Sequence, residues 1–171
     1  MNKSFWSRIA LGTLACCALL LFAGRTHAAE IKGTVTATWT IYDDSKLVGD
    51  VTCMVENGPC IVIGASHVKL NLSGFKITGT IAGCTPATSS DDGIDVISMD
   101  DVAVLGPGAI QGFGGFGIFL LSDNNVKVEG VTTSDNCFSG IFLGGVTNSD
   151  IERNISVRNS MGSEDGPCGG T

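Results

Sequence analysis

The densest group of acidic side chains in the sequence lies in one short stretch, residues 91–101. It contains Asp91, Asp92, Asp95, Asp100 and Asp101. Paired carboxyl groups act as acid and base on glycosidic bonds, and several carboxylates together bind calcium through their oxygens. Asp91, Asp92 and Asp95 are therefore the candidate catalytic residues. No cofactor is predicted, and calcium is the alternative. The structural alternative places Asp100 and Asp101 at a polar corner and the other aspartates in an acidic loop.

Two phenylalanines follow the acidic stretch at regular distances. Phe119 comes 24 residues after Asp95, and Phe142 comes 23 residues after Phe119. Ile97 and Leu121 lie two residues beyond the first two of these positions. Aromatic side chains stacked along a sheet offer apolar surface to sugar rings, so Phe119 and Phe142 are candidate ligand-binding residues. They have two structural alternatives, because such rings also pack beneath neighbouring loops or stack on each other.

The same distances define a sequence repeat that must position these residues. Gly93-Ile94-Asp95-Val96 recurs as Gly117-Ile118-Phe119-Leu120 and again as Gly140-Ile141-Phe142-Leu143. A fixed period in this range predicts stacked supersecondary units. Apolar residues two apart follow in each unit and predict a second strand, because successive side chains of a strand point to opposite faces. These pairs are Val102 and Val104, Val126 and Val128, and Ser149 and Ile151, and a weaker third column holds Ile110, Ser134 and Val157.

Polar residues separate the first two strands of each unit. They are Asp100-Asp101, Asn124-Asn125 and Thr147-Asn148, all of types that tolerate turn geometry. A unit of this length is too short for a strand, a helix and a second strand, which need roughly 30 residues. The sequence therefore predicts an all-β protein, a parallel β-solenoid of about four coils with up to three short strands per coil.

From about Cys60 onward, this three-strand coil resembles the right-handed parallel β-helix of the pectin-lyase-like superfamily. The resemblance implies the fold but not an activity, because this architecture carries unrelated functions. Ser90-Asp91-Asp92-Gly93-Ile94-Asp95 is also similar to the polygalacturonase strand that carries a first catalytic aspartate. That family implies a Gly-Asp-Asp triplet in the next coil, where this sequence has Phe116-Gly117-Ile118, and its Gly-His-Gly and Arg-x-Lys elements are absent.

The leading functional hypothesis is an exported, non-catalytic scaffold that binds or presents itself to extracellular polysaccharide. The alternative is a polysaccharide lyase or glycoside hydrolase, with catalytic residues among Asp91, Asp92 and Asp95 or in coils beyond Thr171. The pectate lyase pattern of calcium-binding acids with an arginine base is not found in the sequence. A carboxylate pair or a basic residue stacked on the Asp95 face in further coils would favour the enzyme.

Residues 1–28 have the layout of a secretory signal peptide. Lys3 and Arg8 precede an uncharged run, residues 9–23, and Thr26-His27-Ala28 places small residues before a cleavage site. The run is shorter than the roughly 20 apolar residues that span a membrane. The sequence thus predicts a secreted, periplasmic or cell-surface protein with no membrane anchor after cleavage.

The charge of the chain excludes one class of partner. The formal net charge is −7, and the predicted leader contains three of the ten basic residues and none of the 17 acidic ones, so the remainder carries −10. Phosphate backbones bind to basic surfaces, which argues against nucleic acid. A polyuronate would also be repelled unless cations bridged it to the protein.

Five cysteines follow the predicted leader: Cys53, Cys60, Cys84, Cys137 and Cys168. In an exported protein they predict disulfide bonds. Cys53 and Cys60 flank a turn and are expected to close a hairpin. Because adjacent coils lie about 4.8 Å apart, Cys137 and Cys168 form the geometrically simpler second pair. The partner of Cys84 stays open, since a bond from Cys84 to Cys137 spans two coils.

The sequence divides into three parts. Residues 1–28 form the leader, residues 29–60 are rich in alternating threonines and predict an N-terminal cap, and residues 61–171 form the coils. Gly170-Thr171 falls where the next Gly-Ile strand would begin, so we expect a solenoid truncated at this point. An open final coil presents unpaired backbone groups and predicts self-association.

Overall fold

A computed structural model describes residues 28–80, 84 and 90–160. Every regular element in these residues is a β-strand, and none of the described residues form a helix suited to crossing a membrane. The all-β prediction is confirmed. The strands are β1 (Ala29–Val35), β2 (Trp39–Ile41), β3 (Ser45–Cys53), β4 (Ile61–Ile63), β5 (Lys69–Asn71), β6 (Lys76–Gly79), β7 (Ile94–Ile97), β8 (Ala103–Gln111), β9 (Ile118–Leu121), β10 (Lys127–Ser134), β11 (Ile141–Gly144), β12 (Asp150–Glu152) and β13 (Ile155–Val157).

The strands form two sheets, here named sheet A and sheet B. Sheet A has the order β1-β3-β5-β8-β10-β12, with β6 beside β3 and β8, and with β13 beside β10. Sheet B has the order β11-β9-β7-β4-β2. All neighbouring strands pair in parallel. Each turn of the chain adds one strand to sheet B and then one or two to sheet A, which confirms the parallel solenoid.

The core is built from columns of equivalent residues in successive turns. Ile94 pairs with Ile118, and Ile118 pairs with Ile141, in sheet B. Ile118 is fully buried, as the repeat predicts. In sheet A the pairs Val104 with Val128 and Val128 with Ile151 continue the second predicted column. Stacking equivalent side chains in this way buries a continuous apolar interior.

The third predicted column is wrong by one residue. Ile110 pairs with Thr133, whereas Ser134 pairs with Gln111 and Val157. At the start of the two strands, each residue of β8 pairs with the residue of β10 that comes 24 positions later. Between Glu129 and Val131 the register shifts, because β8 has one residue more than β10 there. A β-bulge of this kind absorbs one residue and changes the register of everything beyond it.

The segment predicted as a cap, residues 29–60, follows the path of a coil. Its strand β2 is one of the five strands of sheet B, and β3 pairs with β5 and β6. Strand β1 pairs with β3 and lies at the edge of sheet A, so it covers the end of the solenoid. Parallel pairing therefore continues across the expected boundary at residue 61.

At the other end of the described solenoid, core columns become exposed. Leu143 and Ile151 are exposed, although Leu120 and Val128, their register partners one turn earlier, are fully buried. The self-association expected from an open edge stays a prediction. The last eleven residues of the predicted coils, 161–171, lie outside the described residues, as does the predicted leader up to residue 27.

The polar corners between sheet B and sheet A have the turn geometry that their residue types predict. Asp101, Asn125 and Asn148 occupy equivalent positions and all have positive φ, between 50° and 56°. Asp and Asn adopt this left-handed conformation more readily than other side chains do. Asp123 closes one corner, since its Oδ1 accepts a hydrogen bond of 2.8 Å from the Met99 N–H one turn earlier.

The recurring glycine of the repeat has a steric cause. A Cβ atom on Gly93 would lie 2.4 Å from the carbonyl oxygen of Gly117, and one on Gly117 would lie 2.5 Å from that of Gly140. These distances are far inside van der Waals contact, and both neighbours are backbone atoms. Successive turns approach each other so closely at this corner that only glycine fits.

Two disulfide bonds link the described residues. Cys53 is bonded to Cys60, the pair that the sequence predicts. Cys137 is bonded to Cys84, so the predicted pair of Cys137 with Cys168 is wrong. The Cys137 N–H donates to the Phe113 carbonyl of the preceding turn, and the insertion between β6 and β7 carries Cys84 to within 5.2 Å between Cα atoms. The simple spacing between coils thus did not predict the partner of Cys137, and Cys168 lies outside the described residues.

Candidate functional site

The outer face of sheet B is apolar over much of its length, with Thr40 and Asp95 as the polar members of its central column. Val62, Asp95, Phe119 and Phe142 are successive register partners there. A second column contains Ile97 and Leu121, whose side chains are 44% and 36% exposed. The Tyr42 side chain is 65% exposed and its ring lies beside Gly64. A Cβ atom added to Gly64 would be 2.9 Å from that ring. We name this surface the apolar strip: Tyr42, Val62, Ile97, Phe119, Leu121 and Phe142.

Four phenylalanine rings form a cluster at one side of the strip. Phe119 and Phe142 stack with ring centroids 5.3 Å apart and an interplanar angle of 6°. Phe116 lies 4.9 Å from Phe142, 5.4 Å from Phe119 and 5.3 Å from Phe138, each time in a tilted arrangement. All four rings are half-buried. Since Phe119 and Phe142 cover a face of each other, the stacking alternative is correct for this pair, and what they offer to a ligand is largely ring edge.

Asp95 interrupts the apolar strip, and the structure pairs it with Asp92. Both side chains are buried, and they lie close enough together for each to affect the pKa of the other. Burial, and then the charge of Asp92, raise the pKa of Asp95 from 3.8 to about 8. Burial also raises the pKa of Asp92, against the lowering effect of the Phe116 N–H, which donates to Asp92 Oδ1. At neutral pH the carboxyl group of Asp95 is therefore protonated.

These parallel sheets, with their stacked turns, agree with a comparison to protein families. The chain matches the family model described as "Right handed beta helix region" over residues 41–168. It belongs to this right-handed β-helix family. No curated protein and no solved structure matches the chain. The family establishes the hand and the architecture of the fold, and the chemistry of this β-helix must be read from its own residues.

The other aspartates of the acidic stretch lie apart from the pair in the β-helix. Asp91 Oδ1 accepts a hydrogen bond of 3.2 Å from the Gly58 N–H, in the turn closed by the first disulfide. Asp101 lies at the exposed corner, where it contacts His67 Nδ1 at 2.9 Å and Asn125 Nδ2. Asp91 thus ties the acidic loop to the preceding turn, and Asp101 stabilises a corner, as the structural alternative predicts.

The geometry of the acidic pair limits its chemistry. Glycosidases hold two carboxyl groups about 5–10 Å apart, on either side of the scissile bond. Asp92 and Asp95 are instead both buried and close to each other, so they do not present two separated carboxyl groups to a sugar. Asp95 Oδ1 is also buried and has no hydrogen-bond partner among the residues that the structure describes. In residues 28–80, 84 and 90–160, no group of three or more potential metal ligands converges on one point.

The sequence patterns did not identify three aromatic residues on this side of sheet B: Tyr42, Phe116 and Phe138. Phe116 and Phe138 come just before their strands, outside the columns that the repeat defines, and Tyr42 lies in the segment interpreted as a cap. The run Gly112-Phe113-Gly114-Gly115-Phe116 was the available signal, because an aromatic residue beside several glycines can turn out over a neighbouring strand. Phe113, in the same run, points inward and belongs to the core.

Proposed function

We propose that this β-helix is an exported scaffold that binds extracellular polysaccharide along the outer face of sheet B without cleaving it. The observation that carries the proposal is the exposure of the apolar strip across successive turns. Exposed apolar surface that continues over many residues marks an interaction site. Tyr42, Ile97 and Leu121 are exposed on three different turns of the same face.

The arrangement of the strip supports a linear partner. Equivalent positions in adjacent turns lie about 4.8 Å apart, so the strip offers similar contacts at regular intervals along the solenoid axis. Aromatic and aliphatic side chains pack well against the apolar faces of sugar rings. The signal-peptide layout of residues 1–28 supports an extracellular location for this binding.

A binding measurement tests this function. Isothermal titration of the secreted protein with soluble polysaccharides is expected to show binding that Ile97→Asp weakens about tenfold or more, because a charge then replaces apolar contact surface. Ile155→Asp is the matched control, since Ile155 is also exposed, at 56%, but lies in sheet A. Equal effects of the two substitutions, or no binding to any polysaccharide, would contradict the proposal.

A second candidate function, acid catalysis, rests on Asp95. A carboxylic acid that stays protonated at neutral pH is suited to act as a general acid. Its buried oxygen and its close partner argue against contact with a substrate. We therefore expect pectate, alginate and polygalacturonate to stay intact, with or without calcium, when unsaturated products and reducing ends are followed. Turnover that disappears in Asp95→Asn would establish the enzyme instead.

A further inference from the structure

We propose that a polar cleft beside Tyr42 is a subsite of the apolar strip, and that it binds one uncharged hexose unit through the free hydroxyl groups of that sugar. The inference rests on the proposed function and names the part of the ligand that is bound at this end of the strip. The cleft has a volume of about 490 Å³, and its lining includes Tyr42, Asp43, Asp44, Ser66 and His67. Tyr42 belongs to both surfaces, so the strip and the cleft are continuous.

The cleft arises because two successive corners of the solenoid differ in length. In the first turn, residues 42–44 connect the end of β2 to the start of β3. In the next turn, residues 64–69 connect the register partners of these strand ends, Ile63 and Leu70. The second corner is therefore longer by three residues, and its tip has no equivalent in the first corner. This mismatch leaves the space that the cleft occupies.

One wall of the cleft is the aromatic ring of Tyr42. Glycine at position 64 makes room for this ring against the sheet, because a Cβ atom there would lie 2.9 Å from it. Much of the Tyr42 side chain nevertheless stays exposed. An exposed aromatic ring offers apolar surface to the C–H groups of a sugar.

Two polar groups of the cleft are each held by one hydrogen bond to the fold. Asp44 Oδ1 accepts the Lys69 N–H at 2.8 Å, and Ser66 Oγ accepts the Asp100 N–H at 3.0 Å. Within residues 28–80, 84 and 90–160, Asp44 Oδ2 and the hydroxyl hydrogen of Ser66 have no further partner. The carboxylate thus offers an acceptor, and the serine offers a donor, to the hydroxyl groups of a ligand.

His67 is oriented by a chain of two contacts. Its Nδ1 lies 2.9 Å from Asp101 Oδ2, and the other oxygen of Asp101 accepts a hydrogen bond from Asn125 Nδ2. A carboxylate beside Nδ1 favours the tautomer with its proton on that nitrogen, which leaves Nε2 of the neutral ring as an acceptor. Sugar hydroxyl groups are the donors that such acceptors need.

The strip and the cleft therefore place different demands on a sugar. Contact with the strip needs only apolar C–H surface, whereas the acceptors of the cleft need free hydroxyl groups. Ala28, the last residue of the predicted leader, also lines the cleft. Cleavage after Ala28 would remove this residue from the wall, so the subsite belongs to the exported form of the protein.

The test compares free and methylated sugars. The probes are cellohexaose, mannohexaose and the fully O-methylated derivative of each, titrated calorimetrically into the secreted protein. Methylation retains the apolar faces of the sugar rings and removes every hydroxyl donor. We expect a free hexaose to bind and its methylated derivative to bind more weakly by about fivefold or more, because hydrogen bonds to charged groups are lost.

Three variants assign the effect to the cleft. Asp44→Asn is expected to weaken binding of the free hexaose about fivefold or more and to leave binding of the methylated derivative unchanged. An amide oxygen at this position can still accept the Lys69 N–H, so the corner is expected to fold. Ile97→Asp, in the strip, is expected to weaken binding of both forms.

Asp150→Asn is the matched control. Asp150 is exposed and precedes Ile151, which continues the register column of Ser45 four turns later, just as Asp44 precedes Ser45. This substitution is expected to change neither affinity. Circular dichroism of every variant must show the native β signal, so that weaker binding does not reflect unfolding.

The outcomes separate the two proposals. If neither hexaose binds in either form, the subsite is overturned, and the titrations with polysaccharides decide the function separately. If free and methylated sugars bind equally, or if Asp44→Asn behaves like Asp150→Asn while Ile97→Asp weakens binding, the scaffold function stands and the subsite is overturned.

Discussion

Asp95 lies in an environment that disfavours the charged form of its side chain. Its pKa is raised from 3.8 to about 8, so the folded state holds the proton more tightly than the unfolded state does. The stabilisation from this proton is complete below about pH 4 and is lost as the pH rises through the window up to about 8. Burial of a protonated acid thus couples the stability of the fold to pH.

We predict that the free energy of unfolding falls between pH 4 and pH 8 and that Asp95→Asn makes this fall smaller. A single group contributes a slope of at most about 1.4 kcal/mol per pH unit. Urea unfolding at intervals of one pH unit measures it, with Asp150→Asn as the exposed control. Raised pKa values at Asp92 and Asp123 act in the same direction, so the difference between wild type and Asp95→Asn is the informative quantity. Identical slopes in the two proteins would mean that Asp95 is ionised in the native state.

At the scale of the strand and its corner, the close approach of successive turns controls which residues are tolerated. The turn before β9 depends on Gly117, where an added Cβ would lie 2.5 Å from the Gly140 oxygen and 2.9 Å from Asn136 Nδ2. Asn136 cannot move freely, because its Oδ1 accepts the Phe113 N–H at 3.1 Å and its Nδ2 donates to Asn159 at 2.9 Å. A methyl group at this corner must therefore displace backbone.

We predict that Gly117→Ala lowers the free energy of unfolding by about 1–3 kcal/mol, the usual range for overpacking. Gly58→Ala is the matched control, because a Cβ there would meet its nearest neighbour, Thr38 Oγ1, at an ordinary 3.4 Å. Thermal or urea unfolding of both variants decides the question. A Gly117→Ala variant as stable as Gly58→Ala would show that the corner widens without strain.

At the scale of the whole molecule, two disulfide bonds restrict the unfolded chain to different extents. Cys53 and Cys60 are seven residues apart, whereas Cys84 and Cys137 are 53 residues apart and join different turns of the solenoid. The loss of entropy in the unfolded state grows with the length of the closed loop. The longer link should therefore contribute more to stability.

We predict that replacing Cys84 and Cys137 together by alanine costs about 4 kcal/mol, and that replacing Cys53 and Cys60 costs about 2 kcal/mol, from the loop-entropy relation. Urea unfolding of the two double variants under non-reducing conditions measures both values. Each variant serves as the control for the other, since each removes two sulfurs and one bond. A larger loss from the shorter loop would mean that packing around Cys60, which is fully buried, outweighs chain entropy.

Much of the architecture could be predicted from the sequence, because the rules involved are local and repeat. The recurrence of Gly-Ile with alternating apolar residues predicted the strands, the solenoid and the burial of Ile118 between Ile94 and Ile141. Alternation in a strand has a period of two, so a correct pattern decides which side chains face inward. The polar corners followed from the turn preferences of Asp and Asn, which act within a few residues.

Two predictions that extrapolated the repeat past a bulge or an insertion are wrong: the third column of the core and the partner of Cys137. The repeat predicts Ser134 as the neighbour of Ile110. In the structure Thr133 pairs with Ile110, because of the bulge in β8. The spacing of coils predicts a bond from Cys137 to Cys168. In the structure Cys137 is bonded to Cys84. A bulge or a long insertion changes the relation between positions in the sequence and positions in space, so a constant period does not carry across either of them.

In the candidate site, too, some features follow from the sequence and others depend on the tertiary structure. Asp92, Asp95, Phe119 and Phe142 were identified from residue type and spacing. That Asp92 and Asp95 lie close together, and that Phe116 and Phe138 complete the aromatic cluster, depends on the direction of the chain at the corner before each strand. In a regular strand, residues three apart point to opposite faces, so periodicity alone would separate Asp92 from Asp95. The tertiary turn brings their carboxyl groups together and buries them, because side chains near a corner are oriented by the packing of neighbouring turns rather than by the period of the strand.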